Sequence, residues 1–226
     1  MSCCSSKEPV GVNSFGLNKS RVMKMIILGE AGVGKTSLLV RFMGQDFPDR
    51  PESTVAIDFK IMELSIDDED FKVQMWDTSG QERFHALTRN FYHSTDAIVF
   101  VYSERKRSTL AKIESFWIKE IKNHNIQAKH ILIIGNQNDL LRQDKKTVDD
   151  DELRRICAGF NISIAHMSAK KDSMQKCQDV IDDFCQDVLM HKFELAGPLQ
   201  SSNSSSSSFD GVAPDLAGFQ RIKLED

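Results

Sequence analysis

Eight residues, Gly29 to Thr36 (GEAGVGKT), follow the spacing G-x-x-x-x-G-K-T, which suits a loop that holds phosphate. Glycines let the backbone curl closely around an anion and aim successive N–H groups inward. Lys35 adds a point charge for β- and γ-phosphates, and the Thr36 hydroxyl is a hard oxygen suited to Mg²⁺. Ala31, Gly32, Val33, Gly34 and Ser37 complete the expected cradle. The flanks agree. Apolar residues (Val22, Met23, Met25, Ile26, Ile27, Leu28) precede the loop, and a helix-favouring segment, Ser37 to Gln45, follows it. The loop therefore opens onto a helix N-terminus, a ready anion site.

Three further short motifs carry polar chemistry. Asp77-Thr78-Ser79-Gly80 offers a carboxylate that can hold Mg²⁺ through a water. Gly80 can bring its N–H to a terminal phosphate with no side chain in the way. Asn136-Gln137-Asn138-Asp139 offers a carboxylate, Asp139, that can accept hydrogen bonds from guanine N1 and N2. Adenine lacks those donors, so the wrong base would leave Asp139 unpaired, a mismatch that discriminates strongly. Ser168-Ala169-Lys170 can present a backbone N–H to guanine O6. Each tetrapeptide alone is a weak signal. Together they form an ordered series, each following an expected strand.

Those strands alternate with helices. Val22–Leu28 is the expected first strand and Lys35–Gln45 the first helix. A polar loop with Pro48 and Pro51 leads to residues 57–66 and 71–77, two strands split by Asp67–Asp70, which read as a hairpin. Ala97–Tyr102 is wholly apolar, as a strand buried on both faces requires. Leu110–Lys122 places Ile113, Phe116, Trp117 and Ile121 at helical spacing. Ile131–Ile134 is a buried strand. Asp149–Phe160 is a helix opening on three aspartates, and such charges favour a helix N-terminus. Ile162–Met167 is the last strand, and Ser173–Met190 the last helix. The order predicts an α/β fold. It is a mostly parallel six-stranded sheet with one antiparallel strand and helices on both faces, its ligands gathered at the carboxyl ends of the strands.

Composition narrows the remaining classes. The 226 residues suit one domain, here 21–192, between an N-terminal segment (1–20) without periodicity and a Ser-rich tail (193–226) expected to be mobile. Phe209, Leu216, Phe219, Ile222 and Leu224 make a small docking motif the alternative reading of that tail. Net charge is −4 with the signs mixed, which gives no reason to expect a nucleic-acid partner. No apolar stretch is long enough to span a membrane and no secretory leader is evident. Five irregularly spaced cysteines do not form a disulfide framework, and a reducing cytoplasm is expected. Cys157, Cys177 and Cys185 read as buried hydrophobes.

The chain resembles the Ras superfamily of small GTPases, with its phosphate-loop G domain, and within it the Rab family. GEAGVGKT, WDTSGQERF (76–84) and MSAK (167–170) carry the resemblance over about residues 20–192. TVAIDF (54–59) is similar to the Rab signature TIGIDF, and FVYS (100–103) to the Rab strand before the third helix. The resemblance implies that Thr54 closes over Mg²⁺ and the γ-phosphate, joining Thr36 and Asp77 at the metal. It implies that Phe47 packs against guanine and that Gln81 orients the attacking water. It implies an effector surface at Phe59, Trp76 and Phe91. Departures are equally specific. Gln137 stands where the family has Lys, which bears on nucleotide affinity. Ala56 replaces a Gly in the first switch, and Ala31 stands where Rabs often carry Ser. The C-terminal IKLED has no cysteine for prenylation, so the usual anchor is expected to be missing. Cys3 and Cys4 are either acylation sites or incidental exposed thiols, and membrane contact is expected to be peripheral at most.

The mechanism so implied is a GTP/GDP switch with slow intrinsic hydrolysis. No arginine finger is evident in cis, Arg83 being expected to face elsewhere, so an activating protein is expected to accelerate turnover and an exchange factor to reload GTP. Two alternatives stay open: a GTP-bound scaffold with negligible turnover, and another phosphate-loop enzyme such as a small-molecule kinase or ATPase.

Overall fold

The computed structural model describes residues 21–51, 53–54, 57–66, 69–81, 84, 88–124, 126, 128–141 and 148–193, with the backbone of 219–221. Expectations resting on Cys3, Cys4, Ala56, Arg83, Phe209, Leu216, Ile222 and Leu224 lie outside the described residues.

Six strands form the expected sheet: β1 (Val22–Leu28), β2 (Ile57–Ile66), β3 (Glu69–Thr78), β4 (Ala97–Ser103), β5 (His130–Asn136) and β6 (Asn161–His166). A three-residue strand, β7 (Phe219–Arg221), extends it, giving the order β6-β5-β4-β1-β3-β2-β7. β1 pairs parallel with β3 and β4, β4 with β5, and β5 with β6. Only the outer strands reverse. β2 runs antiparallel to β3, with Ile57 opposite Thr78 and Ile66 opposite Glu69, and β7 runs antiparallel to β2 at Leu64–Ile66. The hairpin is tighter than the sequence predicts, because its second strand begins at Glu69 rather than residue 71.

Central strands are apolar throughout because both faces are covered. β4 and β5 are buried along their whole lengths. β1 distributes its side chains by the two-residue period of a strand. Met23, Met25 and Ile27 face a core shared with α1 (Lys35–Phe42) and the long C-terminal helix Met174–Phe193, whose Ile181, Phe184, Val188 and Leu189 are buried there. Ile26 and Leu28 face the other core, with Ile113, Trp117 and Ile121 from the helical stretch α2 (residues 108–123) and Leu153 from α3 (Asp150–Ile156). The C-terminal helix is α4.

Helix boundaries have local causes. α1 stops at Phe42, three residues short of the expected Gln45. Gly44 takes the left-handed conformation (φ 75°) that closes a helix, and its N–H bonds back to the Arg41 carbonyl. α3 opens on Asp149, whose carboxylate accepts the Asp151 N–H at 3.1 Å. α2 carries a π-helical turn, Ile113–Trp117, between α-helical ends Ser108–Lys112 and Ile118–Asn123. The wider turn brings Ile118 inward beside Trp117. Cys157, Cys177 and Cys185 are buried, as expected, and burial pushes the Cys157 thiol up to about 12.

At the amino ends of the strands the chain is tied to itself. Lys192, near the end of α4, donates to the Val22 carbonyl and to Asp96 Oδ2, each at 2.7 Å. The same Asp96 oxygen accepts the Lys24 N–H. Among the described residues, no helix is long and apolar enough to cross a membrane.

Candidate functional site

At the carboxyl ends of β1, β3, β5 and β6 lies a cavity of about 310 Å³. The phosphate loop forms one wall. Gly34 caps α1 in the left-handed region (φ 93°), a conformation that β-carbon-bearing residues rarely adopt, and the Leu38 N–H donates to its carbonyl. Lys35 is buried, its Nζ bridging the Gly29 and Glu30 carbonyls at 2.9 Å each. Desolvation lowers its pKa to about 8, against the raising pull of Asp77 and Glu30. A phosphate dianion at this point would restore the charged form.

Beside Lys35, three oxygens converge. Thr36 Oγ1 donates to Asp77 Oδ2 at 2.5 Å, and Thr54 Oγ1 reaches both Thr36 Oγ1 (2.5 Å) and Asp77 Oδ2 (3.2 Å). Asp77 is fully buried, and its other oxygen, Oδ1, has no hydrogen-bond partner among the described residues. Burial raises the Asp77 pKa, opposed by the Thr36 hydrogen bond and Lys35. A buried carboxylate with one orphaned oxygen beside two hydroxyls fits a small hard cation. Gly80 closes this end. A Cβ there would stand 2.3 Å from Ala31 N, so only glycine allows the loop after β3 to lie against the phosphate loop.

The far end of the cavity is built by β5 and β6. Asn136 spans it, donating through Nδ2 to the Val33 carbonyl (2.8 Å) and accepting the Ala169 N–H at Oδ1 (3.1 Å). The phosphate loop and the loop after β6 are thus fastened through one side chain. Asp139 sits on a short 3₁₀ turn (Asn138–Leu140) and accepts the Ser168 hydroxyl at 2.6 Å. Gln137 takes a left-handed backbone (φ 63°); its Nε2 donates to the Gly32 carbonyl at 3.0 Å while its Oε1 accepts from Ser103 Oγ at 2.6 Å.

Of the residues singled out from the sequence, Ala31, Gly32, Gly34, Lys35, Thr36, Ser37, Phe47, Thr54, Gly80, Gln81, Asn136, Gln137, Asp139, Ser168, Ala169 and Lys170 line this cavity. Val33 and Asp77 lie buried just behind it, meeting the lining through Asn136 and Thr36 respectively. Ser79, within the Asp77–Gly80 motif, lines it too, as do Pro51, Ser53 and Leu140, which no sequence motif singles out. Ser103 was not foreseen either, because its link to the site runs across strands. Phe59, Trp76 and Phe91 stand apart from the cavity as a row of tilted rings, with centroids 4.6 and 4.9 Å apart.

The model of the Ras family matches residues 24–189. Rab-1 of Theileria annulata is 32% identical over 188 residues, covering 83% of this chain and 84% of that protein. The chain is a Rab-family small GTPase. Rab-18-B of Danio rerio is 34% identical over 155 residues (68% of this chain, 74% of the relative), and the GTP-binding protein ypt1 of Schizosaccharomyces pombe 32% over 149 (66% and 72%). As a member of this family the Rab-type GTPase binds guanine nucleotides and acts as a GTP-dependent switch. Its partners are of the kinds the family uses: effectors, activating proteins and exchange factors.

Proposed function

We propose that this GTPase hydrolyses GTP slowly by itself and signals through the order of its switch segments, in vesicle trafficking or signalling. The single observation that supports this best is the meeting of Thr54 with Thr36 and Asp77. A threonine from the loop before β2 is in contact with the phosphate loop and the end of β3. The loop before β2 thus brings Thr54 to the phosphate loop, where a bound terminal phosphate and its cation would hold it.

In this reading Thr36, Thr54 and Asp77 would hold Mg²⁺, which would supply charge neutralisation for the phosphates. Lys35 and the loop N–H groups stabilise charge developing on the transferred group and the leaving oxygen. Gln81 lines the cavity beside Gly80 and orients water, but an amide is a poor base. An arginine supplied by an activating protein is worth on the order of 10³–10⁵ in rate. Asp139 and a backbone N–H of the Ser168-Ala169-Lys170 loop read guanine, and Phe47 packs on it. After hydrolysis Thr54 and Gly80 lose their ligand and the segments around them loosen. Effectors read the closed form through Phe59, Trp76 and Phe91, whose tilted, contacting rings make an apolar anchor. The protein is cytoplasmic, meeting membranes at most peripherally.

Single-turnover conversion of GTP to GDP, followed by chromatography, tests this. Wild-type protein should convert its bound GTP over minutes to hours, and Gln81→Leu should slow conversion at least about tenfold. Equal measurable rates would refute the role of Gln81, and no conversion by the wild type would favour the scaffold reading instead.

A further inference from the structure

Behind the base-reading loops lies a carboxylate that does not line the cavity. Glu104 follows β4, and its side chain is 1% exposed. It crosses above β5 to reach β6. Gly135 makes the crossing possible: a Cβ there would stand 2.2 Å from Glu104 Oε1 and 2.6 Å from the Tyr102 hydroxyl. Oε1 accepts the Tyr102 hydroxyl at 2.9 Å and meets His166 Nδ1 at 2.6 Å, while Oε2 accepts the Val148 N–H at 3.3 Å. The other ring nitrogen, His166 Nε2, lies 3.0 Å from Asp150 Oδ1 on α3.

Both nitrogens of His166 therefore face carboxylate oxygens. A neutral imidazole has one N–H and one bare lone pair, and a lone pair against a carboxylate repels. Only the imidazolium satisfies both contacts. It also offsets the charge of Glu104, which would otherwise be costly to bury. The groups facing the ring are Glu104 from the end of β4, Tyr102 from β4 and Asp150 from α3, with the Arg107–Glu152 ion pair beside them. Burial keeps Tyr102 protonated far above neutrality.

The cluster is joined by backbone to the cavity. The Glu104 N–H donates to the Asn136 carbonyl at 2.9 Å, and the Asn136 side chain clasps Val33 and Ala169. Met167, next to His166, donates to the Gly135 carbonyl and accepts from the Asn138 N–H. We propose that Glu104 and His166 are positioning residues for the base-reading loops, and that loss of the His166 proton loosens those loops so that guanine nucleotide is released faster as pH rises. The inference rests on the cavity being the guanine-nucleotide site.

The direction follows from the contacts. The hydrogen bond to Glu104 is the chief influence raising the His166 pKa above its ordinary 6.5; burial opposes it, and Asp150 adds to it. A raised value means the stabilisation is fully present below about pH 6.5 and is lost as pH climbs through the folded-state value. Lys35 titrates near 8 when no phosphate is bound, so the comparison must be between proteins and not between pH values alone.

The test uses the full chain in two measurements. The first follows the His166 ring by NMR from pH 5.5 to 9, assigned by its loss in His166→Gln. A midpoint above 6.5 supports the charged triad, and one at or below 6.5 overturns it. The second follows release of a fluorescent GDP analogue into excess GDP. Wild-type release should accelerate between pH 6.0 and 8.5 by about three- to tenfold more than release from His166→Gln, a fraction of the worth of a hydrogen bond to a charged group. Parallel pH profiles would refute the positioning role. If His166→Gln does not fold, Glu104→Gln keeps the crossing side chain and removes its charge, and it should move the release profile to lower pH; an unmoved profile refutes the proposal. Failure of the wild type to take up the GDP analogue would overturn the nucleotide reading and the retention claim with it, while the ring titration would still decide whether the triad is charged.

Discussion

Replacing Gln137 by alanine tests whether the bridge made by its amide holds nucleotide in the site. Its amide joins two parts of the molecule: Nε2 donates to Gly32 of the phosphate loop and Oε1 accepts the Ser103 hydroxyl. The Gly32 end is exposed to solvent, so its loss costs about 0.5 kcal/mol, at the low end for a hydrogen bond. The Ser103 end is inside, the residue being only 4% exposed, and stranding that hydroxyl costs about 1–1.5 kcal/mol. Together these come to about 1.5–2 kcal/mol. If the bridge acts on the bound state, GDP release from Gln137→Ala should be about 10- to 30-fold faster, at 1.4 kcal/mol per decade. The assay is displacement of a fluorescent GDP analogue by excess GDP. Ser103→Ala alone should accelerate release less, and the double variant should be no worse than Gln137→Ala, a coupling of about 1 kcal/mol in a double-mutant cycle. Release within twofold of wild type in Gln137→Ala, or strictly additive effects, would show that the bridge does not hold nucleotide.

Three other outcomes follow from the same geometry. Gly80→Ala places a Cβ 2.3 Å from Ala31 N, so the two loops must part; single-turnover GTP hydrolysis should fall at least about tenfold while GDP affinity stays within a few-fold, checked by chromatography and fluorescence titration. Gly135→Ala forces a methyl group against the Glu104 carboxylate and should cost about 2–3 kcal/mol, read as a lower melting temperature, with part of the loss recovered when Glu104→Ala is added. Because Lys35 titrates near 8 without phosphate and must be charged with it, nucleotide binding at pH 9 should take up close to one proton; calorimetry in buffers of different ionisation enthalpy measures this, and zero uptake would mean Lys35 is already charged in the free protein.

The phosphate loop was legible because its chemistry needs contiguous residues, and contiguity is what a sequence displays. β4 and β5 were legible because burial on both faces leaves an unbroken apolar run. The π-helical turn was not. Its pattern differs from an α-helix by less than one residue per turn, and Ile113, Trp117 and Ile121 satisfy both. β7 escaped because three residues carry too little alternation to stand out in a Ser-rich tail. Ser103 and Glu104 escaped for another reason. Their partners Gln137 and His166 lie 34 and 62 residues away, and only strand register brings them together. Periodicity reports which face a residue occupies, not which side chain it will meet across two neighbouring strands.

The clasp of Lys192 on Val22 and Asp96 sets an orientation for the whole molecule. It gathers the start of the first strand and the end of the last helix at one pole, and the cavity at the carboxyl ends of the strands occupies the opposite pole. A lipid, a fusion tag or a docking protein attached through either flanking segment would hold the domain by its base. Whatever tethers it there, the face that changes with nucleotide is left looking outward, toward whatever arrives from solution.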